Sequence, residues 1–355
     1  MEAVIKPEVQ QLTPYTLQEF PFRYKLNQNE NPFGFPAELK DEFWRRVRDR
    51  DWARYPDFSL RQITERLAAK AGVSEDMVLV GNGSNELIQL TLMVTVTRGD
   101  TVTIPVPTFT LYRLLATVLG ADPVTVMLGE GDFALPADEV IAAARRHESK
   151  IVVLCTPNNP TGNCYPEAAV RHIIEECGAL VVVDQAYGEF CDQDLTPLLA
   201  EYENVVFLRT FSKALALAGA RLGYLLGPPA LVREIAKAKL PYALNIFSET
   251  VALVALDHLD ALESQVARIS HQRARLFAGL SALGGAHPYA SEANFILARF
   301  ARPSTDIFAA CLANGLLVRD VGSYPGLDGH LRLSVGTADE NELLLSTIRS
   351  CLSET

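Results

Sequence analysis

The sequence predicts an α/β protein: a large domain with a mostly parallel seven-stranded sheet, followed by a smaller α+β domain. Three observations lead there. Between residues 77 and 227 seven short β-rich runs recur, with helix-like segments between most of them. The runs are continuously apolar rather than alternating, which marks strands buried on both faces, as in a sheet covered by helices. After about residue 245 the texture changes to long helical patterns mixed with a few strands.

In order, the seven runs are "MVLVGN" (77–82), "DTVTIPV" (100–106), "DPVTVML" (122–128), "KIVVLCTP" (150–157), "LVVVDQA" (180–186), "VVFLRTF" (205–211) and "RLGYLLG" (221–227). Segments such as "NELIQLTLMVTV" and "EAAVRHIIEECG" read as the helices between them. The last two runs lack a full helix between them, so that connection departs from a plain βαβ unit. Downstream, "SETVALVALDHLDALESQVARISHQRARLFAGLSAL" is helical. It is followed by strand-like "ANFILARF" (293–300), helix-like "STDIFAACLANG" (304–315), "LLVRDV" (316–321), "HLRLSVG" (330–336) and a closing helix. The expected division is an arm with crossing loops over 1–45, a large domain over 46–245 and a small domain over 246–355.

The 355 residues suffice for a large core. A net charge of −11 argues against nucleic acid as a partner, since phosphate backbones need a basic surface. The six cysteines are scattered without a CxxC pair and the six histidines are dispersed, so no metal is expected. The cysteines read instead as buried small hydrophobes in a reduced compartment. "MEAVIKPEVQ" has no apolar core of a signal peptide, and no apolar run approaches the roughly 18–20 residues of a spanning helix. The expectation is a cytoplasmic protein that does not meet a membrane.

Familiar glycine signatures are missing. "GNGSNE" (81–86) lacks the third glycine of a dinucleotide fingerprint, and neither GxxxxGK[ST] nor GxSxG occurs. It remains a glycine turn entering a helix, readable as a capped turn or as an anion site at Ser84 and Asn85. "TPNNPTGN" (156–163) stops a strand with two prolines and alone is a loop. Asp184 ends the apolar run of "VVVDQAYGEF", where ligands meet open α/β sheets, though a lone Asp there also caps turns. In "TFSKALALAGARLGY" (210–224), Lys213 lies among Ala, Leu and Gly, and only eight of the 32 basic residues are Lys. Alone it reads as a snorkelling surface lysine; in an apolar pocket it becomes a neutral, nucleophilic amine. Together, an amine, a carboxylate at a strand end, an asparagine loop and an anion site supply what pyridoxal phosphate needs.

On these motifs the sequence resembles the fold type I pyridoxal-phosphate enzymes, specifically aminotransferases similar to the histidinol-phosphate aminotransferase family. The resemblance runs through "LTPY" (12–15), "LNQNENPFG" (26–34), "ARYPD" (53–57), "GNGSNELI" (81–88), "PTF" (107–109), "NNPTG" (158–162), "VVDQAY" (182–187), "TFSKALALAGARLGY" and "LRLSVGT" (331–337). It implies that Lys213 binds the cofactor covalently and then shuttles the substrate proton. Asp184 is implied to pair with the pyridine nitrogen, Asn159 and Tyr187 with the ring oxygen, and Phe109 with the ring face. Ser84, Asn85, Thr210, Ser212 and Arg221 are implied to cup the phosphate, with Tyr55 reaching it from the other subunit of a homodimer. Tyr15, Arg319 and Arg332 are implied to hold the substrate anion; two guanidiniums suit both a carboxylate and a phosphate. Gln185, Asn85 and the Leu215-Ala216 pair depart from common family residues, and none is a reacting group.

The resemblance implies transamination between histidinol phosphate and 2-oxoglutarate, in histidine biosynthesis. An aromatic aminotransferase and a threonine-phosphate decarboxylase share these motifs and are the alternatives.

Overall fold

The computed structural model describes residues 4–13 and 19–353. Thirteen strands occur among them: β1 (Tyr24–Lys25), β2 (Val78–Gly81), β3 (Thr101–Val106), β4 (Asp122–Met127), β5 (Ile151–Cys155), β6 (Leu180–Asp184), β7 (Val205–Thr210), β8 (Gly223–Leu226), β9 (Ala286–Pro288), β10 (Phe295–Phe300), β11 (Leu316–Leu317), β12 (Arg319–Asp320) and β13 (His330–Ser334).

The seven predicted runs form one sheet in the order β2-β8-β7-β6-β5-β3-β4. Only β8 runs against its neighbours, β2 and β7; the remaining pairs are parallel. That reversal follows from the connection of 12 residues between β7 and β8. It holds only a one-turn helix, Ala218–Ala220, too short for a right-handed crossover.

Alternation explains why the strands are continuously apolar. On β6, Val181 and Val183 pack on one side of the sheet with Ile173 and Val170, whereas Val182 packs on the other with Leu87 and Ala116. Helices Glu167–Glu176, Ser84–Thr95 and Leu111–Leu119 supply those contacts, so each face is dry. Helix Ile246–Asp257 also contributes Ala252, Val254 and Ala255 to the core of the large sheet.

A four-stranded antiparallel sheet, β12-β13-β10-β9, carries the C-terminal part. Ile269, Leu276, Ile307, Leu344 and Ile348 of the long helices bury it. β1 from the arm pairs in parallel with β11, which carries residues 26–30 back between the two sheets.

The cysteine reading needs one correction. Cys155, Cys177, Cys311 and Cys351 are free and buried, but Cys164 and Cys191 are half-buried and joined as a disulfide. Glu292 stands beside them, so scatter along the chain does not carry over to space. Among the described residues no helix is long and apolar enough to cross a membrane.

Candidate active site

A cavity of about 420 Å³ opens where the carboxyl ends of the large sheet's strands meet the small sheet. Twelve of the residues singled out in the sequence line it: Ser84, Asn85, Phe109, Asn159, Asp184, Tyr187, Thr210, Ser212, Lys213, Arg221, Arg319 and Arg332. Tyr55 lies outside its own chain's cavity, 80% exposed and stacked on Tyr242 with centroids 4.5 Å apart. Tyr15 falls outside the described residues.

Asp184 arrives as the last residue of β6 and is 3% exposed. Its Oδ2 accepts from the Tyr112 hydroxyl at 2.7 Å and its Oδ1 from the Ala186 N–H at 2.9 Å. Burial pushes this carboxyl up, and those two neutral donors only partly oppose it. Among the described residues no cationic side chain forms an ion pair with it. A buried carboxylate so placed is suited to a cation arriving from the cavity.

The two asparagines after β5 divide their work. Asn158 is fully buried and builds the loop, donating to the Pro107 carbonyl and Thr161 Oγ1 and accepting from Thr108 Oγ1. Asn159 faces the cavity, and its Oδ1 accepts from Arg332 Nη1 at 2.6 Å. With the oxygen thus engaged, its amide N–H groups are left for the cavity side.

Between β7 and β8 the chain loops over the sheet edge. Ser212 N donates to Thr210 Oγ1 at 3.1 Å, and Arg221 Nη1 to Ser212 Oγ at 3.4 Å. Helix Ser84–Thr95 starts alongside, and the close approach depends on two glycines. A Cβ on Gly223 would lie 2.3 Å from Ser84 N, and one on Gly83 2.7 Å from Arg221 Nη2. One guanidinium, three hydroxyls and a helix N-terminus therefore face one corner, a donor set for a phosphate.

Lys213 keeps part of its surface open to the cavity, and its Nζ donates to the Gln28 carbonyl at 2.8 Å. Burial of the amine, then the Arg332 and Arg221 charges, push it down to about 7; Glu30 acts in the opposite direction. Opposite this, Arg319 and Arg332 are register partners on β12 and β13. Arg332 Nη2 also donates to the Asn27 carbonyl at 2.6 Å.

These residues fit pyridoxal phosphate: amine, isolated buried carboxylate, anion corner and the Phe109 ring surround one ring-sized space. Sequence reasoning missed Tyr112, Gln28, Asn29 and Tyr324, which share the cavity wall. Asn29 and Gln28 stand inside the quoted "LNQNENPFG", where their own roles went unassigned. Tyr112 follows Phe109 by three residues, just inside helix Leu111–Leu119, and that nearness was its available signal.

Comparisons with known proteins agree with this geometry. The family model "Aminotransferase class I and II" matches residues 24–348. A histidinol-phosphate aminotransferase of Caldanaerobacter subterraneus subsp. tengcongensis is 35% identical over 99% of this chain and 100% of its own. One from Chlorobium luteolum is 38% identical over 98% of each chain. The structure of histidinol-phosphate aminotransferase from Sinorhizobium meliloti in complex with pyridoxal-5'-phosphate superimposes with a TM-score of 0.87. It covers 98% of this chain and 97% of its own at 23% identity, a likeness of fold. A match running through both sheets, with relatives more than a third identical end to end, makes this chain a member of the class I and II aminotransferases.

Proposed function

We propose that the protein is a pyridoxal-phosphate-dependent histidinol-phosphate aminotransferase. It would convert histidinol phosphate and 2-oxoglutarate to imidazole-acetol phosphate and glutamate, in histidine biosynthesis. The observation that carries the reading is the pairing of a lysine poised near pH 7 with Arg319 and Arg332 across the same cavity. The names of the relatives at 35 and 38% identity supply the substrate.

When bound, pyridoxal phosphate supplies an electron sink that lets a substrate Cα–H bond ionise. The protein does the rest. Ser84, Asn85, Thr210, Ser212 and Arg221 hold the phosphate, and Phe109 covers the ring face. Asp184, already short of a cation, keeps the pyridine nitrogen protonated. Asn159 and Tyr187 donate to the ring oxygen. Arg319 and Arg332, with Tyr15, hold the substrate's phosphate in one half-reaction and a glutamate carboxylate in the other. Lys213 would be the base that removes the Cα proton and the acid that returns it, a role open to an amine that burial has pushed down.

A homodimer is part of this reading. Trp52, Tyr55, Phe58, Leu240 and Tyr242 are all exposed, and Tyr55 and Phe58 both touch Tyr242. The exposed Tyr55–Tyr242–Phe58 cluster suits burial against a second copy, which would deliver Tyr55 to the partner's phosphate corner. Cytoplasmic residence is also part of it, on the sequence expectation alone.

The test offers histidinol phosphate, phenylalanine and threonine phosphate as donors to 2-oxoglutarate, while released CO₂ is followed. Histidinol phosphate should lead in kcat/KM. A wide margin for phenylalanine, or CO₂ from threonine phosphate, would replace the proposed substrate.

A further inference from the structure

Asn29 is among the most constrained side chains in the molecule. It is 1% exposed, and it sits at φ +54°, a left-handed conformation that Asn tolerates better than most residues. Its backbone N–H donates to Ser334 Oγ at 3.0 Å, and its carbonyl accepts from Asn294 Nδ2 at 2.9 Å. Ser334 Oγ in turn donates to Asn29 Oδ1 at 2.9 Å. Ser334 Oγ thus accepts from the Asn29 N–H and donates to its Oδ1, an arrangement that uses the hydroxyl proton and turns the amide oxygen toward Ser334. The nitrogen end faces the other way, where Nδ2 donates to the Tyr187 hydroxyl at 2.9 Å.

This decides what Tyr187 can do. Its oxygen is an acceptor from Asn29, and among the described residues its own proton has no acceptor. The ring is held edge-on against Phe295, with centroids 5.2 Å apart. Burial pushes the phenol up to about 12, so it keeps its proton at neutral pH. The groups facing it are Arg332, Asp184, Cys155 and Lys213, whose Nζ lies 5.9 Å from the ring centroid.

We propose that Asn29 is a positioning residue that makes Tyr187 a hydrogen-bond donor to the cofactor's ring oxygen. The proposal rests on the pyridoxal-phosphate reading given above. A donor to that oxygen withdraws charge from it and weakens its hold on the proton it shares with the Lys213 nitrogen. Asn29 therefore lowers the pH at which that proton leaves, without touching the cofactor.

The test is a spectral pH titration of the loaded protein, reading the midpoint of its visible absorption change. Asn29→Asp keeps size and tolerance of the backbone angle but turns the donor into an acceptor for the Tyr187 proton. It should raise the midpoint by about one to two pH units, the worth of a hydrogen bond to a charged group. Tyr187→Phe should raise it at least as far, and the double variant no further than Tyr187→Phe alone. Ser334→Ala removes the partner of both the Asn29 N–H and its Oδ1, loosening the amide, and should give a smaller rise of the same sign. Asn29→Asp and Ser334→Ala proteins that load the cofactor with an unmoved midpoint would overturn the proposal, as would shifts that add in the double variant. Wild-type protein that takes up no pyridoxal phosphate and develops no visible band is a different outcome; it removes the cofactor reading and this proposal with it.

Discussion

Arg332 Nη1 and Asn159 Oδ1 are hydrogen-bonded at 2.6 Å, joining the middle of the small sheet to the loop after β5 of the large one. One guanidinium thus orients a cavity-facing amide while itself lining the cavity. Arg332→Lys keeps the charge but loses the planar fork. It should lower kcat/KM for both the amino donor and 2-oxoglutarate by about 10- to 100-fold, largely through KM. Steady-state kinetics with each substrate varied would show it; an effect on one substrate alone would place the anion site elsewhere.

Lys213 gives a pH prediction with a definite sign. A lysine at about 7 is about half neutral at pH 7, whereas at an ordinary 10.4 it would be neutral in only roughly one molecule in 2,500. The neutral amine is the nucleophile, so uptake of pyridoxal phosphate by cofactor-free protein should quicken from pH 6 and level off above about pH 8. Stopped-flow absorbance measures this. Rates still climbing tenfold per unit at pH 9 would mean the amine is not lowered. Lys213→Ala should give colourless protein without transaminase activity.

Arg221 stands at the anion corner, against Ser212 Oγ. Arg221→Ala should raise the dissociation constant for pyridoxal phosphate by about 10- to 100-fold. Pyridoxal, which lacks the phosphate, should bind both proteins alike. Equilibrium dialysis of the two ligands separates a phosphate contact from general damage to the site.

Tyr55 is exposed on its own chain and absent from its own cavity. If it completes the partner's site, mixing Tyr55→Ala protein with Lys213→Ala protein should restore activity. Each hybrid dimer would hold one intact site, so random exchange returns about a quarter of the wild-type sites. Activity that stays at the level of the parents would detach Tyr55 from the chemistry.

Much of this architecture was legible because burial on both faces writes itself as unbroken apolar runs, as in Leu180–Val183 and Val205–Leu208. Most of the cavity-lining groups were legible as motifs because they cluster at strand ends and the turns after them. What escaped depends on convergence across sequence. The Asn29–Tyr187 contact spans 158 positions and the Arg332–Asn159 contact 173, and no local pattern encodes either. Tyr112 escaped for another reason: a buried tyrosine on a helix otherwise facing the core looks like packing until its hydroxyl is found on Asp184. The pairing of Cys164 with Cys191 was hidden by a sequence separation of 27.

The reversal at β8 has a consequence for how such an enzyme changes through descent. Because β7 and β8 are both bedded in the large sheet, the loop carrying Lys213 and Arg221 is clamped at its two ends. Arg319 and Arg332 belong to a different sheet, reached through another part of the chain. Under the proposed roles, a lineage could therefore vary Arg319 and the flanks of β12, and with them its choice of amine, while the clamped loop keeps Lys213 and Arg221 in place.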